Sequence, residues 1–179
     1  RQVSSAASDV YKRQPLLRFD GVEADDVAAH LVKYKDKYNL GNVWLISSDR
    51  DWDLLIQETV SRFSYVNRKE VKLENWHDHY EVTPEQYISL KCLTGDKGDN
   101  VPGITGIGPK RAASLITEYG DALTIYDSLP LPSKYKHIQE LNASGERILQ
   151  NYELMDLMSY CDDAIGASNI AGIEEKIAC

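Results

Sequence analysis

Nothing in this chain supports a membrane span, because no apolar run approaches the ~18–20 residues that a transmembrane helix needs. No basic stretch leads into an apolar core and a small-residue cleavage site, so no secretory leader is read. Cysteine is scarce. Cys92, Cys161 and Cys179 are odd in number and widely spaced, which excludes a disulfide framework and a CxxC metal knuckle. Basic excess is lacking too: the formal net charge is −8, whereas indiscriminate nucleic-acid binders carry basic surfaces. Internal repeats and low-complexity tracts are likewise missing. These gaps predict a cytoplasmic protein. An acidic chain of this kind handles nucleic acid only if its carboxylates are concentrated in one site and neutralised there by divalent ions.

The 179 residues, 42% of them hydrophobic, suffice for one domain or one domain with a helical extension. Ser4 to Gln14 reads SSAASDVYKRQ, identical to the in-frame translation of a common transposase-based sequencing adapter. Residues 1–14 are therefore read as non-native read-through and set aside. Removing Arg1, Asp9, Lys12 and Arg13 takes the net charge to −10. The native segment is expected to begin near Pro15, in mid-protein, as a truncated fragment.

From there the pattern is α/β. Leu16 to Phe19 reads as a short strand and Glu23 to Tyr38 as a helix stopped by Asn39 and Gly41. Val43-Trp44-Leu45-Ile46 has the continuous apolar character of a buried parallel strand. Asp51 to Gln57 is a short helix, and Val60 to Tyr65 and Glu70 to Leu73 are strands joined around Asn67-Arg68-Lys69. After Thr83 the pattern turns helical. Thr83 caps a helix from Pro84 to about Thr94, with Gln86 completing a capping box. Further helices open at Pro109 and lie near Ser133 to Leu141 and Ala143 to Met155, after a stiff Leu129-Pro-Leu-Pro132 connector. Asn142-Ala143-Ser144 is a formal glycosylation sequon that reads as a helix cap. The division predicted is 15–82 for the sheet domain and 83–179 for a helical module.

Three acidic clusters carry the chemistry. Glu23, Asp25 and Asp26 open a helix, where acids also match the helix dipole. Asp49, Asp51 and Asp53 follow the apolar strand, where open α/β sheets place their sites, although an acidic turn gives the same letters. An EF-hand is excluded, because Leu54 stands at loop position six and Val60 at position twelve. Asp96 and Asp99 form an i,i+3 pair in a polar turn. Three such clusters would repel one another if they met unneutralised, so divalent ions are expected between them. Oxygen-only ligands favour magnesium or manganese over zinc.

The stretch from Gly103 to Arg111 is neither a dinucleotide fingerprint, because Arg111 stands at the third glycine, nor a P-loop, because Pro109 stands where lysine is required. Helix, glycine turn, helix remains. Gly106 and Gly108 leave amides free, and Lys110 and Arg111 lie in the first turn of the following helix, suited to a backbone phosphate.

In combination, Gly21-Val-Glu-Ala-Asp-Asp26, Ile46-Ser-Ser-Asp-Arg-Asp-Trp-Asp53 and Gly95-Asp-Lys-Gly-Asp-Asn-Val-Pro-Gly-Ile-Thr-Gly-Ile-Gly-Pro-Lys-Arg111 resemble the structure-specific 5′-nuclease family. That family comprises the flap endonucleases and the 5′-nuclease domains of bacterial DNA polymerase I. The likeness runs from about Leu17 to Ala167 and is greatest to phage enzymes of the coliphage T-five type, including Val60-Ser-Arg-Phe-Ser64, Leu129-Pro-Leu-Pro132 and Leu141-Asn-Ala-Ser144. It implies a Rossmann-like (PIN-like), mostly parallel sheet, incomplete at its N-terminus, followed by a helix-three-turn-helix DNA-binding module.

The resemblance assigns Glu23, Asp25 and Asp26 to a first metal site and Asp49, Asp51, Asp96 and Asp99 to a second, with two Mg2+ ions for which Mn2+ substitutes. The glycine turn would sit around a K+ ion, with Gly106, Gly108, Lys110 and Arg111 on DNA phosphates and Arg68 and Lys69 as further duplex contacts. The implied partner is DNA with a 5′ flap or 5′ end, cut by a monomer during phage replication in the host cytoplasm. The family's early aspartates and its basic helical arch have no counterpart in this sequence. Low activity and an exposed apolar sheet edge are expected in consequence. The competing readings are a non-catalytic helix-hairpin-helix DNA-binding module and a metal-dependent phosphatase.

Overall fold

A computed structural model describes residues 14–177; residues 1–13, on which the expectation of a non-native stretch falls, and Cys179 lie outside the described residues. These fall into two compact units. One is Asn42–Leu157; the other joins the chain up to Gly41 with the segment from Met158 onward.

In the first unit, β1 (Val43–Ile46) pairs parallel with β2 (Val60–Ser64), with Val43 opposite Val60. β3 (Lys69–Val71) pairs antiparallel with β2. The expected mostly parallel sheet is thus one parallel and one antiparallel pairing. The reason is the short link at Asn67-Arg68, where Asn67 Oδ1 accepts the Lys69 N–H at 3.1 Å and Arg68 has φ 55°; a link this short joins only antiparallel neighbours. β1 is also not buried on both faces. Leu45 points inward, but Trp44 is 65% exposed and Ile46 47%, so this outer strand presents an apolar face.

A 3-10 turn at Asp51–Leu55 follows β1, and another at Leu73–Asp78 follows β3. The second was not anticipated; it buries Trp76, whose indole N–H donates to the Val82 carbonyl at 2.6 Å. The helix expected from Pro84 begins at Tyr87 (α1, Tyr87–Thr94), after a tight turn at Pro84 to Gln86. Half of the capping box is present: the Gln86 side chain accepts the Thr83 N–H at 3.2 Å.

A two-stranded hairpin, β4 (Gly95–Asp96) with β5 (Val101–Pro102), separates α1 from α2 (Pro109–Tyr119). α3 (Ala122–Asp127), capped by Asp121 on the Thr124 N–H, was not read from the sequence. α4 (Lys136–Ala143) and α5 (Glu146–Met155) complete the unit. α1 packs against α2, α3 and α5. One apolar cluster joins Ile56, Val71 and Trp76 to Leu93, Ile116 and Ile148, so the core runs through residue 82 without a break. Each such side chain, fully buried, stabilises the fold by about 1.5–3 kcal/mol.

Asn142 is not a cap. Its side-chain amide donates to the Leu131 carbonyl at 2.9 Å and accepts the Leu131 N–H at 2.8 Å. In this way it clamps the proline-rich connector to α4 as a neighbouring strand would.

In the second unit, α6 (Ala24–Lys33), α7 (Leu157–Ile165) and α8 (Ala167–Ile177) enclose Val27, Ile165 and Ile173. The helix expected to reach Tyr38 ends at Lys33 and continues as turns. On an unbroken helix, residues eight apart are about 12 Å apart along the axis; the turns bring the Tyr38 hydroxyl to 2.8 Å from His30 Nε2. Leu16 to Phe19 is irregular rather than a strand. It lies on α8 instead, with Lys176 Nζ donating to the Leu16 carbonyl at 2.9 Å and standing 5.0 Å from the centre of the Phe19 ring.

Candidate metal centre and glycine turn

Asp49, Asp51 and Asp53 occupy alternate positions in the chain yet serve different ends. The Asp49 side chain accepts the Asp51 N–H at 3.0 Å, and the Asp49 N–H donates to Ser47 Oγ at 3.1 Å. Asp53 turns inward, 1% exposed. There it receives Arg62 Nε at 2.5 Å, Arg62 Nη2 at 2.8 Å and the Tyr80 hydroxyl. Arg62 Nη1 reaches on to the Ser47 carbonyl at 3.0 Å. A bidentate arginine of this kind satisfies a buried carboxylate and fixes its geometry. Asp53 is thus a brace under the loop that carries Asp49 and Asp51.

Asp96 and Asp99 are presented by the β4–β5 hairpin. Gly95 has φ 72°, and a Cβ on it or on Gly103 would run into the opposite backbone. Only glycine allows the two strands to close this tightly. Within the turn, Asp96 Oδ1 accepts the Gly98 N–H at 2.7 Å, and Asn100 takes φ 58°. Among the described residues, one carboxylate oxygen from each of Asp51, Asp96 and Asp99 lies within 4.8 Å of the other two. Asp49 adjoins this group through the Asp51 backbone but is not part of it.

The sequence reading missed the group's central cation. Lys91, on α1, donates from Nζ to Asp51 and, at 2.9 Å, to Asp96 Oδ2. Burial opposes its charge, but the two carboxylates outweigh burial and hold the ammonium above its ordinary value. Asp51 is pushed up by burial, against Lys91. Asp96, less enclosed, is held below its ordinary value by Lys91 and by the Gly98 and Asp99 amides. Its one signal in the sequence was position: five residues before Asp96, it extends one helical turn back from the acidic hairpin.

Glu23, Asp25 and Asp26 belong to the other unit. Glu23 is exposed at the N-cap of α6 and caps nothing with its side chain. Asp25 Oδ1 accepts the Asp26 N–H at 3.0 Å. The Asp26 carboxyl is raised by burial, then by the charges of Asp25 and Glu23.

The glycine turn is anchored from below by buried Ile104 and Ile107. Gly106 has φ 80° and Gly108 is the N-cap of α2, with Pro109 in its first turn. Lys110 and Arg111 are exposed, and Arg111 Nη1 donates to the Gly106 carbonyl at 2.6 Å. A hollow of about 420 Å³ beside the turn is lined by Thr105, Gly106, Arg111, Lys136, His137 and Glu140. Lys136 and His137, from α4, were not singled out in the sequence. The hollow puts two more cationic or polarisable groups beside the turn. Arg68 and Lys69 are exposed at the β2–β3 link.

The family described as "5′-3′ exonuclease, C-terminal SAM fold" matches residues 82–175, just over half of the chain. The chain belongs to the 5′-3′ exonuclease family. Among its relatives, the flap endonuclease of Escherichia phage T5 is 50% identical over 154 residues, covering 86% of this chain and 53% of the relative. DNA polymerase I of Rhizobium leguminosarum is 37% identical over 113 residues, covering 63% of this chain and 11% of the relative. This exonuclease-family chain therefore spans about half the length of the phage relative. Among solved structures, the T5 5′-exonuclease with bound divalent zinc ions matches with a TM-score of 0.86 at 45% identity, over 97% of this chain and 66% of that one. A T5 flap endonuclease pseudo-enzyme–product complex with DNA and metal ions matches with a TM-score of 0.86 at 44% identity, over 97% and 65%. The helical part that carries the glycine turn is accordingly the SAM-like module of this family.

Proposed function

We propose that this chain is part of a structure-specific 5′-nuclease, a flap endonuclease/5′-3′ exonuclease that hydrolyses DNA phosphodiesters with divalent ions. The observation that carries the reading is the convergence of Asp51, Asp96 and Asp99 on one point, at the end of a hairpin that runs directly into the glycine turn. An all-oxygen donor set suits Mg2+, with Mn2+ as a substitute. Its fit to a cation is supported by the ammonium of Lys91, which already sits among these oxygens. When bound, such ions supply an activated water and offset charge on the phosphodiester.

Asp51, Asp96 and Asp99, with Asp49 adjacent, would form the second ligand set, and Glu23, Asp25 and Asp26 the first. Asp53 and Arg62 keep the Asp49–Asp51 loop in place. Lys110, Arg111 and the amides about Gly106 and Gly108 would hold a strand of duplex by its phosphates, around a K+ ion in a helix-three-turn-helix arrangement. Arg68 and Lys69 extend the duplex contact. The sheet is read as PIN-like, the protein as a monomer and the substrate as DNA bearing a 5′ flap or 5′ end.

Titration of Mg2+ and Mn2+ against thermal stability tests this. Wild type is expected to gain in midpoint with either ion, and Asp51→Asn and Asp99→Asn to lose most of that gain. Flap DNA should bind in Ca2+ and weaken on Lys110→Ala. DNA binding with no metal response in any variant would instead mark a non-catalytic helix-hairpin-helix module.

A further inference from the structure

Lys91 is an unusual neighbour for a metal centre. Its side chain is 7% exposed, and its ammonium contacts two carboxylates from different segments: Asp51 in the turn after β1 and Asp96 at the start of the hairpin. Both also contribute to the three-oxygen group with Asp99. The backbone that carries this lysine is held in the core by buried Tyr87, Cys92 and Leu93 on either side of it. An ammonium and a divalent ion seek the same oxygen lone pairs, and both cannot use them at full strength.

We propose that Lys91 is a tethered counter-ion, which holds Asp51 and Asp96 together in the metal-free protein and competes with the divalent ion for them. This rests on the reading of Asp51, Asp96 and Asp99 as metal ligands. Without Lys91 the carboxylates would face one another uncompensated until an ion arrived. With it the cradle is assembled in advance, at the expense of affinity, since the entering ion must displace the ammonium from at least one carboxylate.

The two ways in which Lys91 could matter differ in sign. A lysine that only props the carboxylates in position would, on removal, leave metal binding weaker. A competing lysine would leave it tighter. Mn2+ binding to the whole 179-residue chain, measured by isothermal titration calorimetry, separates them, together with thermal unfolding in the presence of a chelator. Lys91→Met is expected to lower the metal-free midpoint yet bind Mn2+ about tenfold tighter or more, because two charge-assisted bonds no longer have to be broken. Lys91→Arg, which keeps the charge, should stay within about threefold of wild type on the same grounds. The gain should vanish in the Asp51→Asn background. Should Lys91→Met not fold without metal, Lys91→Gln serves in its place. Unchanged or weaker binding in the neutral variants, with wild type binding normally, overturns the proposal alone. Silence in wild type and variants alike overturns the metal assignment beneath it.

Discussion

Asp51 and Asp53 stand two residues apart on one short turn, and their surroundings make them opposites. Asp53 is enclosed with Arg62 and Tyr80, whereas Asp51 opens toward Asp96 and Asp99. Breaking a buried ion pair leaves an uncompensated charge. Asp53→Ala is therefore expected to lower stability by about 3–5 kcal/mol, seen as a shifted urea midpoint. Asp51→Asn, which leaves Lys91 its Asp96 partner, should lose less than about 2 kcal/mol. In the other unit, Asp162 accepts from His30 Nδ1 at 2.7 Å, Lys33 Nζ at 2.8 Å and the Tyr34 hydroxyl at 2.8 Å. Burial alone would raise its carboxyl, but these donors hold it well below the ordinary 3.8. A carboxyl lowered by folding stabilises the fold above its ordinary value, and that contribution fades as the pH falls through the ordinary value and below it. Asp162→Asn should thus lose about 2 kcal/mol near pH 7, with the deficit against wild type shrinking below about pH 4. Unfolding measured across pH checks this; a deficit constant with pH would refute the ionic account.

At the scale of elements, the β4–β5 hairpin decides where the acids go. The backbone closes tightly between Gly95 and Gly103, just beyond β5, which places Asp96 and Asp99 on the short turn between. Gly103→Ala must displace the Thr94 carbonyl. A loss of at least about 3 kcal/mol is expected, with weaker Mn2+ binding. Gly98→Ala is the control, because its added methyl meets only the Asp96 side chain, at 3.2 Å; under about 1 kcal/mol should be lost. Calorimetric scans of the two variants separate backbone packing from simple loop stiffness. The sequence showed the helices flanking this hairpin but not the hairpin itself, because two residues per strand leave no readable period. Short α3, capped by Asp121, escaped for the same reason.

For the molecule as a whole, a net charge of −8 and a phosphate-binding role are compatible only if charge is segregated. Asp51, Asp96 and Asp99 meet at one point and Glu23, Asp25 and Asp26 open α6, while Lys110, Arg111 and Lys136 stand about the glycine turn, with Glu140 the acid that also lines its hollow. DNA affinity should then fall with salt, and Lys110→Ala should reduce the slope of log K against log salt by about 0.9, the loss of one phosphate contact. Fluorescence anisotropy with duplexes of two unrelated sequences measures this; a loss confined to one of them would contradict a backbone contact.

The order of the acidic and glycine motifs and the strands at Val43–Ile46 and Val60–Ser64 are local properties, since spacing, turn chemistry and periodicity act over a few residues. They were therefore legible in the chain, and with them the family. The tertiary structure alone could separate Asp53, enclosed with Arg62, from Asp51, which meets Asp96 and Asp99, place Lys91 between two carboxylates, turn Asn142 onto Leu131 and bring His137 beside Gly106. Each of these depends on groups far apart in sequence, forty residues in the case of Lys91 and Asp51. Burial and pairing at that range arise only when the whole core closes, which is why identical letters, aspartate at 51 and at 53, came to hold different offices.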